Sequence, residues 1–459
     1  MGLDLVIGAG VGGLAAAAAL ARAGRDVVVV EARGHTGGLA GGLTLGGRRF
    51  DGGPYILLDR PGLSWVFERL GTSLEAHVEL IELDEVYRVR FPDRPSVSIF
   101  ADLDRTADGL EASWPGSGRR YRAWVRKMAR TYERLRPLQT SPRPGPLSLL
   151  QRGLLREVPF LLRGLEHHVR STGLAEPVVQ ALGIWTHIAG QSLGEAPAPL
   201  AFVPAIVHTH GAYTAVGGVA RVPEALEALA REAGVRFELG RRVRRILRSG
   251  RRVRGVEIDD EVLEADRVFC NASGVGTYVE LLDPPDTGLS RRLQQLPLQS
   301  PGVAAYLDVD ADPAVPFLQF WLPGDGARLL VCPGAADATR AGNARLVSPM
   351  AHVRAQALGL EGQNAYLDWM LAETWWQEGV TLRGVLERRV PVEWGAKYLL
   401  YRDSMNPVMT ARFMRQGRLP HRSPVADNLF LMGSATHPGQ WVSFCAISGL
   451  LAVDEAMSR

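Results

Sequence analysis

Leu3 to Ile7 is a short apolar run broken only by Asp4, the pattern of a strand buried on both faces. It leads into Gly8, Gly10 and Gly13, after which Leu14 to Ala23 is rich in strong helix formers and Gly24 stops the helix. A second apolar run, Val27 to Val30, predicts a second strand and ends in Glu31. Further along, Gly217 and Gly218 precede a predicted helix with Pro223 near its start and Gly234 at its end, and a strand follows over Val235 to Leu239. Alternating segments on either side of Ser249-Gly250 predict a hairpin, and the block from Asp427 reads as a strand, a loop through Gly433 to Gly439 and a helix from about Val442.

Two apolar stretches fit this pattern less simply. Ala196 to Ala220 contains no Asp, Glu, Lys or Arg, but Pro197, Pro199 and Pro204 would break a membrane-spanning helix there, so buried irregular chain with short strands is expected. The segment from Pro146, "PLSLLQRGLLREVPFLLRGLEHHV", is dense in Leu with Arg interspersed, and Pro159 should bend or break it. It fits a pair of helices packed on their Leu faces. It also fits a monotopic surface that dips into a membrane with Arg at the headgroups.

A chain of 459 residues can form two ordinary domains or one large domain interrupted by insertions, and the second is expected. The net charge of +3 comes almost wholly from arginine, since Lys127 and Lys397 are the only lysines. The eight arginines between Arg241 and Arg254 are read as the solvated face of the hairpin, with a membrane-facing basic patch as the other reading. A nucleic-acid partner, which would need a net basic face, is not expected. Cys270, Cys332 and Cys445 are far apart, odd in number and without a CxxC pair, so neither a disulfide frame nor a metal site is expected. Met1 leads straight into a strand without the flank of an export signal. A reducing, cytoplasmic setting is the expectation, with peripheral contact on the inner face of a membrane left open.

The chemistry begins at the first glycines, which have GxGxxG spacing. Gly8 makes the tight turn, Gly10 leaves room for a pyrophosphate and Gly13 lets helix and strand approach, so that phosphates rest on the positive end of the helix. Glu31, 23 residues after Gly8, stands where an acid binds ribose hydroxyls, and its charge disfavours a 2′-phosphate. A bound dinucleotide follows from strand, glycines, helix, strand and acid in register. Gly37 and Gly38 then form a second tight turn, and "RRFDGGPYIL" covers residues 48 to 57.

These segments resemble the flavin-dependent amine oxidoreductase superfamily, and within it the phytoene desaturase and carotenoid isomerase branch. The resemblance implies an α/β fold: a Rossmann-like FAD-binding domain of the glutathione reductase and amine oxidase type with a discontinuous α+β substrate domain. The FAD domain would comprise residues 1–90, 205–275 and 425–459, and the substrate domain 91–204 and 276–424. Carried over position by position, the resemblance puts Gly8, Gly10, Val11, Gly12 and Gly13, then Glu31, Ala32 and Arg33, at the cofactor. Gly37, Gly38 and Leu39 follow, with Gly53, Pro54 and Tyr55, although Leu39 stands where many members have Arg. Val243 matches a position beside the adenine, and "ADRVFCNASG" resembles a strand that runs to the pair Asn271 and Ala272. Gly433, Ser434, Gln440, Trp441 and Val442 match the last block, whose helix points its amino end at the flavin.

FAD is thus the implied cofactor, and a hydrophobic polyene, most simply a carotenoid, the implied substrate. The implied reaction is desaturation or isomerisation, with hydride passing between an allylic carbon and flavin N5. Such chemistry needs alignment and dryness more than titratable groups. His437 is the candidate catalytic residue, and Asp59, Glu68 and His187 have no better claim. A flavin amine oxidase or protoporphyrinogen-type oxidase remains an alternative, in which a polyamine-type enzyme would use Lys127 or Lys397. A non-redox prenyl-lipid escort of the same fold is another. "GQSLG" at 190–194 fits a serine-hydrolase elbow but lacks its preceding strand. His208 and His210 would share one face of a strand, and are read as core or pocket residues.

Overall fold

The computed structural model describes residues 2–142 and 144–458; the expectations that touch residues 1 and 459 lie outside the described residues. Strands β1 (Leu3–Ile7), β2 (Asp26–Glu31), β3 (Arg236–Leu239), β4 (Arg267–Cys270) and β5 (Leu429–Leu431) form one all-parallel sheet in the order β5-β4-β1-β2-β3. Neighbours in space therefore come from the beginning, middle and end of the sequence. Alternation sorts the side chains: Val6, Val27, Val29, Phe269 and Phe430 face one side, and Leu5, Ile7, Val28, Val30, Leu429 and Leu431 the other.

The first side is covered by three helices, α1 (Val11–Arg22), α2 (Arg221–Glu232) and α3 (Val442–Met457). Helix α1 is half alanine and is buried between the other two, where small side chains let the backbones approach. A Cβ on Gly449 of α3 would lie 2.2 Å from the Gly12 carbonyl oxygen of α1. The second side is covered by an antiparallel meander, Val243–Ser249, Arg252–Ile258 and Glu261–Glu264, whose first two strands are the predicted Arg-rich hairpin.

The second unit is a seven-stranded sheet in the order Val380–Arg389, Val303–Ala311, Asn343–Ser348, Arg328–Val331, Leu318–Trp321, Glu85–Arg90, Val97–Phe100. Only Leu318–Trp321 and Glu85–Arg90 pair in parallel. Helix Ser117–Leu135 packs on one face through Tyr121, Trp124 and Met128, and helix His352–Ala372 on the other through Leu367 and Met370.

Several expectations are corrected here. The boundary at residue 90 falls at the end of a strand of the second sheet, so the crossing between units precedes residue 85. Residues 203–212 pack into the second unit's core, and Leu282, Leu289 and Leu293 into the first unit's. The uncharged stretch 196–220 contains a helix, Val203–His210, because Pro204 falls in its first turn, where no N–H is needed. His208 and His210 are thus on a helix and diverge: His208 contacts the Tyr121 hydroxyl at 2.8 Å and the Ala101 carbonyl at 3.0 Å, whereas His210 meets Glu133 at 2.7 Å. The Leu-rich segment is four short helical pieces between Pro146 and Arg170, with Pro159 in a first turn. Leu147, Leu150, Leu155 and Leu162 are each more than half exposed, so its Leu faces do not simply pack inward. In agreement with the expectation, Ser192 of the hydrolase-like motif follows a helix, Ile184–Ile188, and no strand, and it donates to Glu195.

A buried polar joint ties the units together. Arg340 holds Asp51 at 2.7 Å and Asp337 at 2.9 Å, and donates to the Thr214 hydroxyl at 2.9 Å. The two carboxylates in turn accept from the Gly217 and Ala220 N–H groups, fixing the glycine turn ahead of α2. Replacing Arg340 with Leu strands two buried carboxylates and should cost about 3–5 kcal/mol in urea unfolding, against under about 1 kcal/mol for Arg170→Ala in an exposed pair. Equal effects would show that the joint carries no special weight.

Candidate functional site

The carboxyl ends of β1 and β4 and the loop after β5 meet at the amino end of α1. Gly8 takes φ 89° and donates to the Val30 carbonyl at 2.8 Å. A Cβ on Gly13 would lie 2.1 Å from the Gly8 oxygen, so the helix can leave the strand this tightly only through glycine. Helix α1 has no side-chain cap, and its first intrahelical bond is from Leu14 to Gly10, which leaves the Val11, Gly12 and Gly13 N–H groups free for an anion.

Asn271 completes this corner. Its N–H donates to Ile7, and its amide lies where Cβ atoms on Gly10, Gly12 and Gly433 would be, at 2.6, 2.7 and 2.6 Å. Ala272 follows it in the chain and packs partly buried against the meander side of the sheet. Glu31 is buried and accepts from the Ala9 N–H at 2.8 Å and the Arg33 N–H at 2.9 Å. One bond to each oxygen leaves lone pairs for ribose hydroxyls, so the acid fits the role its position suggested. Beyond Ala32, Arg33 donates to the Gly38 carbonyl and lies over the Tyr398 ring at 4.3 Å, with burial lowering its pKa. Val243 is buried in the first meander strand, opposite Ile258.

Gly37, at φ 96°, bridges to Gly10 and donates to Ala9 at 2.8 Å, and Gly38 follows at φ 55°. The Leu39 carbonyl sits 2.5 Å from where a Gly53 Cβ would be, which stacks the two glycine segments. Arg345 clamps that stack from the second unit, donating to the Asp51, Gly52 and Gly53 carbonyls at 3.0, 3.2 and 2.6 Å, while the Tyr306 hydroxyl also donates to Gly52. Its guanidinium lies 5.2 Å from the ring centre of Tyr55, one residue beyond Pro54. Sequence reasoning missed Arg345, Tyr306 and Arg340, and nothing in their local sequence marks them out among so many arginines.

At the carboxyl end, Asn406 accepts from Ser434 at 2.6 Å and donates to Gln440 at 3.3 Å, bracing the loop before α3. Trp441 occupies the cap position of α3 without a side-chain cap and stacks on Phe444, and buried Val442 begins the helix. Arg418 lies beside Gly439, with burial pushing its pKa down to about 10, and has no carboxylate within ion-pair distance among the described residues. His437 donates to the Leu138 carbonyl at 2.8 Å in the second unit. Burial, reinforced by the charge of Arg418, holds its pKa at about 3, so it is neutral at any working pH. Lys127 is exposed on helix Ser117–Leu135, and Lys397 stands 3.8 Å from Glu387.

A parallel sheet with a glycine-lined anion cradle, an acid at the second strand and a last helix aimed at the same cleft defines a dinucleotide-binding flavoprotein oxidoreductase. The chain belongs to the flavin containing amine oxidoreductase family, whose profile matches residues 11–307, and its cofactor is FAD. It is 30% identical over 510 residues to the zeta-carotene-forming phytoene desaturase of Myxococcus xanthus, covering 99% of this chain and 93% of the relative. It is 25% identical over 493 residues to the 4,4'-diapolycopene oxygenase of a Methylomonas species, covering 99% and 98%. Among solved structures, an oxidoreductase from Methanosarcina mazei matches over 100% of both chains with a TM-score of 0.70 at 18% identity, a likeness of fold.

His437 generates a pH prediction. Its pKa is lower folded than unfolded, so its stabilising contribution is complete above about pH 6.5 and is lost as pH falls toward its folded value. His437→Gln keeps a donor for Leu138 but does not titrate. From pH 7 to pH 5, wild type should lose about 2 kcal/mol relative to this variant in urea melts. Parallel profiles would contradict the burial of the ring.

Proposed function

We propose that this protein is an FAD-dependent carotenoid desaturase acting on a hydrophobic polyene, with the cofactor seated by the residues described above. The observation that carries this reading is 30% identity, over 99% of the chain, to a phytoene desaturase. The site's chemistry supports it. Bound FAD supplies a two-electron acceptor for hydrogen leaving a CH–CH unit. The chain's own part is to bind, align and exclude water. Val11, Gly12 and Gly13 would offer N–H groups to the pyrophosphate, Glu31 would offer its carboxylate to the ribose, and the amino end of α3 would supply its dipole to the ring. His437, neutral and tied to Leu138, is assigned to holding the loop before α3 against the second unit. Its depressed pKa argues against a role as a general acid. A polyamine-type oxidase is disfavoured, because Lys127 is on an outer helix and Lys397 lies beside Glu387.

Expressed in carotene-producing bacteria, the protein should convert an acyclic carotene into a product with longer-wavelength absorption, resolved by chromatography. An unchanged pigment profile with FAD-loaded protein would overturn the assignment.

No described helix is long and apolar enough to cross a membrane. The same reading brings the protein to the inner face of the membrane peripherally, because a polyene partitions into the bilayer. The exposed Leu147, Leu150, Leu155 and Leu162, interspersed with exposed Arg156 and Arg163, are the surface assigned to that contact. Replacing all four leucines with Ser should reduce co-sedimentation with anionic vesicles by about tenfold while the bound-flavin absorbance stays unchanged. Undiminished sedimentation would remove the patch from this role.

A further inference from the structure

Arg418 carries a charge that nothing around it balances. It follows helix Ala411–Gln416 and runs beside the loop before α3, where a Cβ on Gly439 would lie 3.2 Å from its Nη2 and 3.3 Å from its Nη1. Its Nε is buried with no hydrogen-bond partner, and its Nη1 meets the Met409 sulfur at 3.4 Å. No carboxylate lies within ion-pair distance among the described residues. The titratable group that does act on it, the Cys445 thiol, is pushed up by burial to about 12 and stays neutral.

A guanidinium is tolerated inside a protein when its donors are used and its charge is met. Arg418 meets neither condition, yet it keeps accessible surface. The residues at the start of α3 share that property: Gln440, Trp441, Phe444 and Cys445 are part-exposed, although Gly439 and Ala446 on either side of them are buried. A ring carbon of Phe444 stands 3.1 Å from the same Gly439 position that Arg418 borders, so the guanidinium and the first turn of α3 flank one recess. The first bond of that turn runs from the Cys445 N–H to the Trp441 carbonyl at 2.8 Å, which leaves the Val442, Ser443 and Phe444 N–H groups without a partner inside the helix. Two sources of positive charge thus border a space that holds no acid among the described residues.

We propose that Arg418 supplies the counter-charge for reduced FAD, its Nη groups serving the negative edge of the ring together with the free N–H groups of α3. This rests on the reading that α3 points at the flavin ring. The oxidised ring is neutral and leaves Arg418 unpaired. Taking up two electrons and one proton leaves the ring with one negative charge, and the pair forms only then. An interaction made in the reduced form and absent from the oxidised one displaces the equilibrium toward reduction, the direction in which a desaturase must run its cofactor. The unpaired cation in the oxidised protein is then stored for the step that needs it.

The test is the reduction equilibrium of bound FAD at neutral pH, followed by absorbance against reference dyes, in wild type, Arg418→Met, Arg418→Lys and Arg415→Met. Met keeps an unbranched apolar stem without the charge, and Arg415, exposed on the helix just before, controls for the loss of a positive charge at a distance. Arg418→Met should lower the ratio of reduced to oxidised FAD about tenfold, the weight of one charge-assisted hydrogen bond. Arg418→Lys should recover most of that loss, and Arg415→Met should match wild type. Urea unfolding of the oxidised, FAD-loaded proteins is the second readout: since Arg418→Met removes a charge that is unpaired in that state, its midpoint should be no lower than that of wild type. An unchanged ratio in FAD-loaded Arg418→Met would overturn the role of Arg418 and leave the flavin site standing. So would a ratio that falls together with a lowered midpoint and is not restored by Lys, the mark of a packing role. Wild type that holds no FAD would instead overturn the site itself.

Discussion

The amide of Asn271 fills the space that side chains on Gly10, Gly12 and Gly433 would claim, and the geometry of the site depends on that crowding. Residues from the first, middle and last parts of the chain contribute one atom layer each, with no slack for a Cβ. Close approach brings three sets of backbone N–H groups to a single cleft, and only glycine permits it at these separations. The same condition recurs where Gly449 meets Gly12, so the last helix is seated directly on the first turn of α1. What fixes the first turn of α1 therefore also fixes the last helix.

A second constraint sets the two sheets relative to each other. Arg340 and Arg345 lie near and in one strand of the second unit and reach back to the carbonyls and carboxylate of residues 51–53. A buried guanidinium is tolerated only when most of its donors are used, and here backbone carbonyls and two carboxylates use them. The glycine segment of residues 51–53 is held from behind by the second unit. A shift of the seven-stranded sheet would move this lining with it.

The glycine spacing, the helix behind it, the acid and the last strand–loop–helix were legible in the sequence because each is a local signal with a single geometric solution. The hairpin at Ser249-Gly250 was legible for the same reason. The helix Val203–His210 was not, since three prolines look like breakers until their places in the first turns are known. The strand Glu85–Arg90 carries no local mark of which sheet it will join, because its partner Leu318–Trp321 is more than two hundred residues away. Arg340 and Arg345 escaped for a related reason. Their importance lies in what surrounds them, and an arginine or aspartate in a polar stretch of sequence has the same appearance whether it ends at the surface or in the core.

The distribution of charge in the cleft follows from the substrate the fold is assigned. At the amino end of α3 the helix terminus has no side-chain cap and Arg418 has no carboxylate within ion-pair distance among the described residues. Asp59 is kept from ionising easily and His437 from taking a proton, in both cases because burial outweighs every partner. Burial that disfavours the charged forms of both groups reduces the charge carried on this side of α3, while the uncapped helix end and Arg418 remain positive. In a water-filled site the same residues would titrate near their ordinary values, so it is their burial between the two units that sets their behaviour.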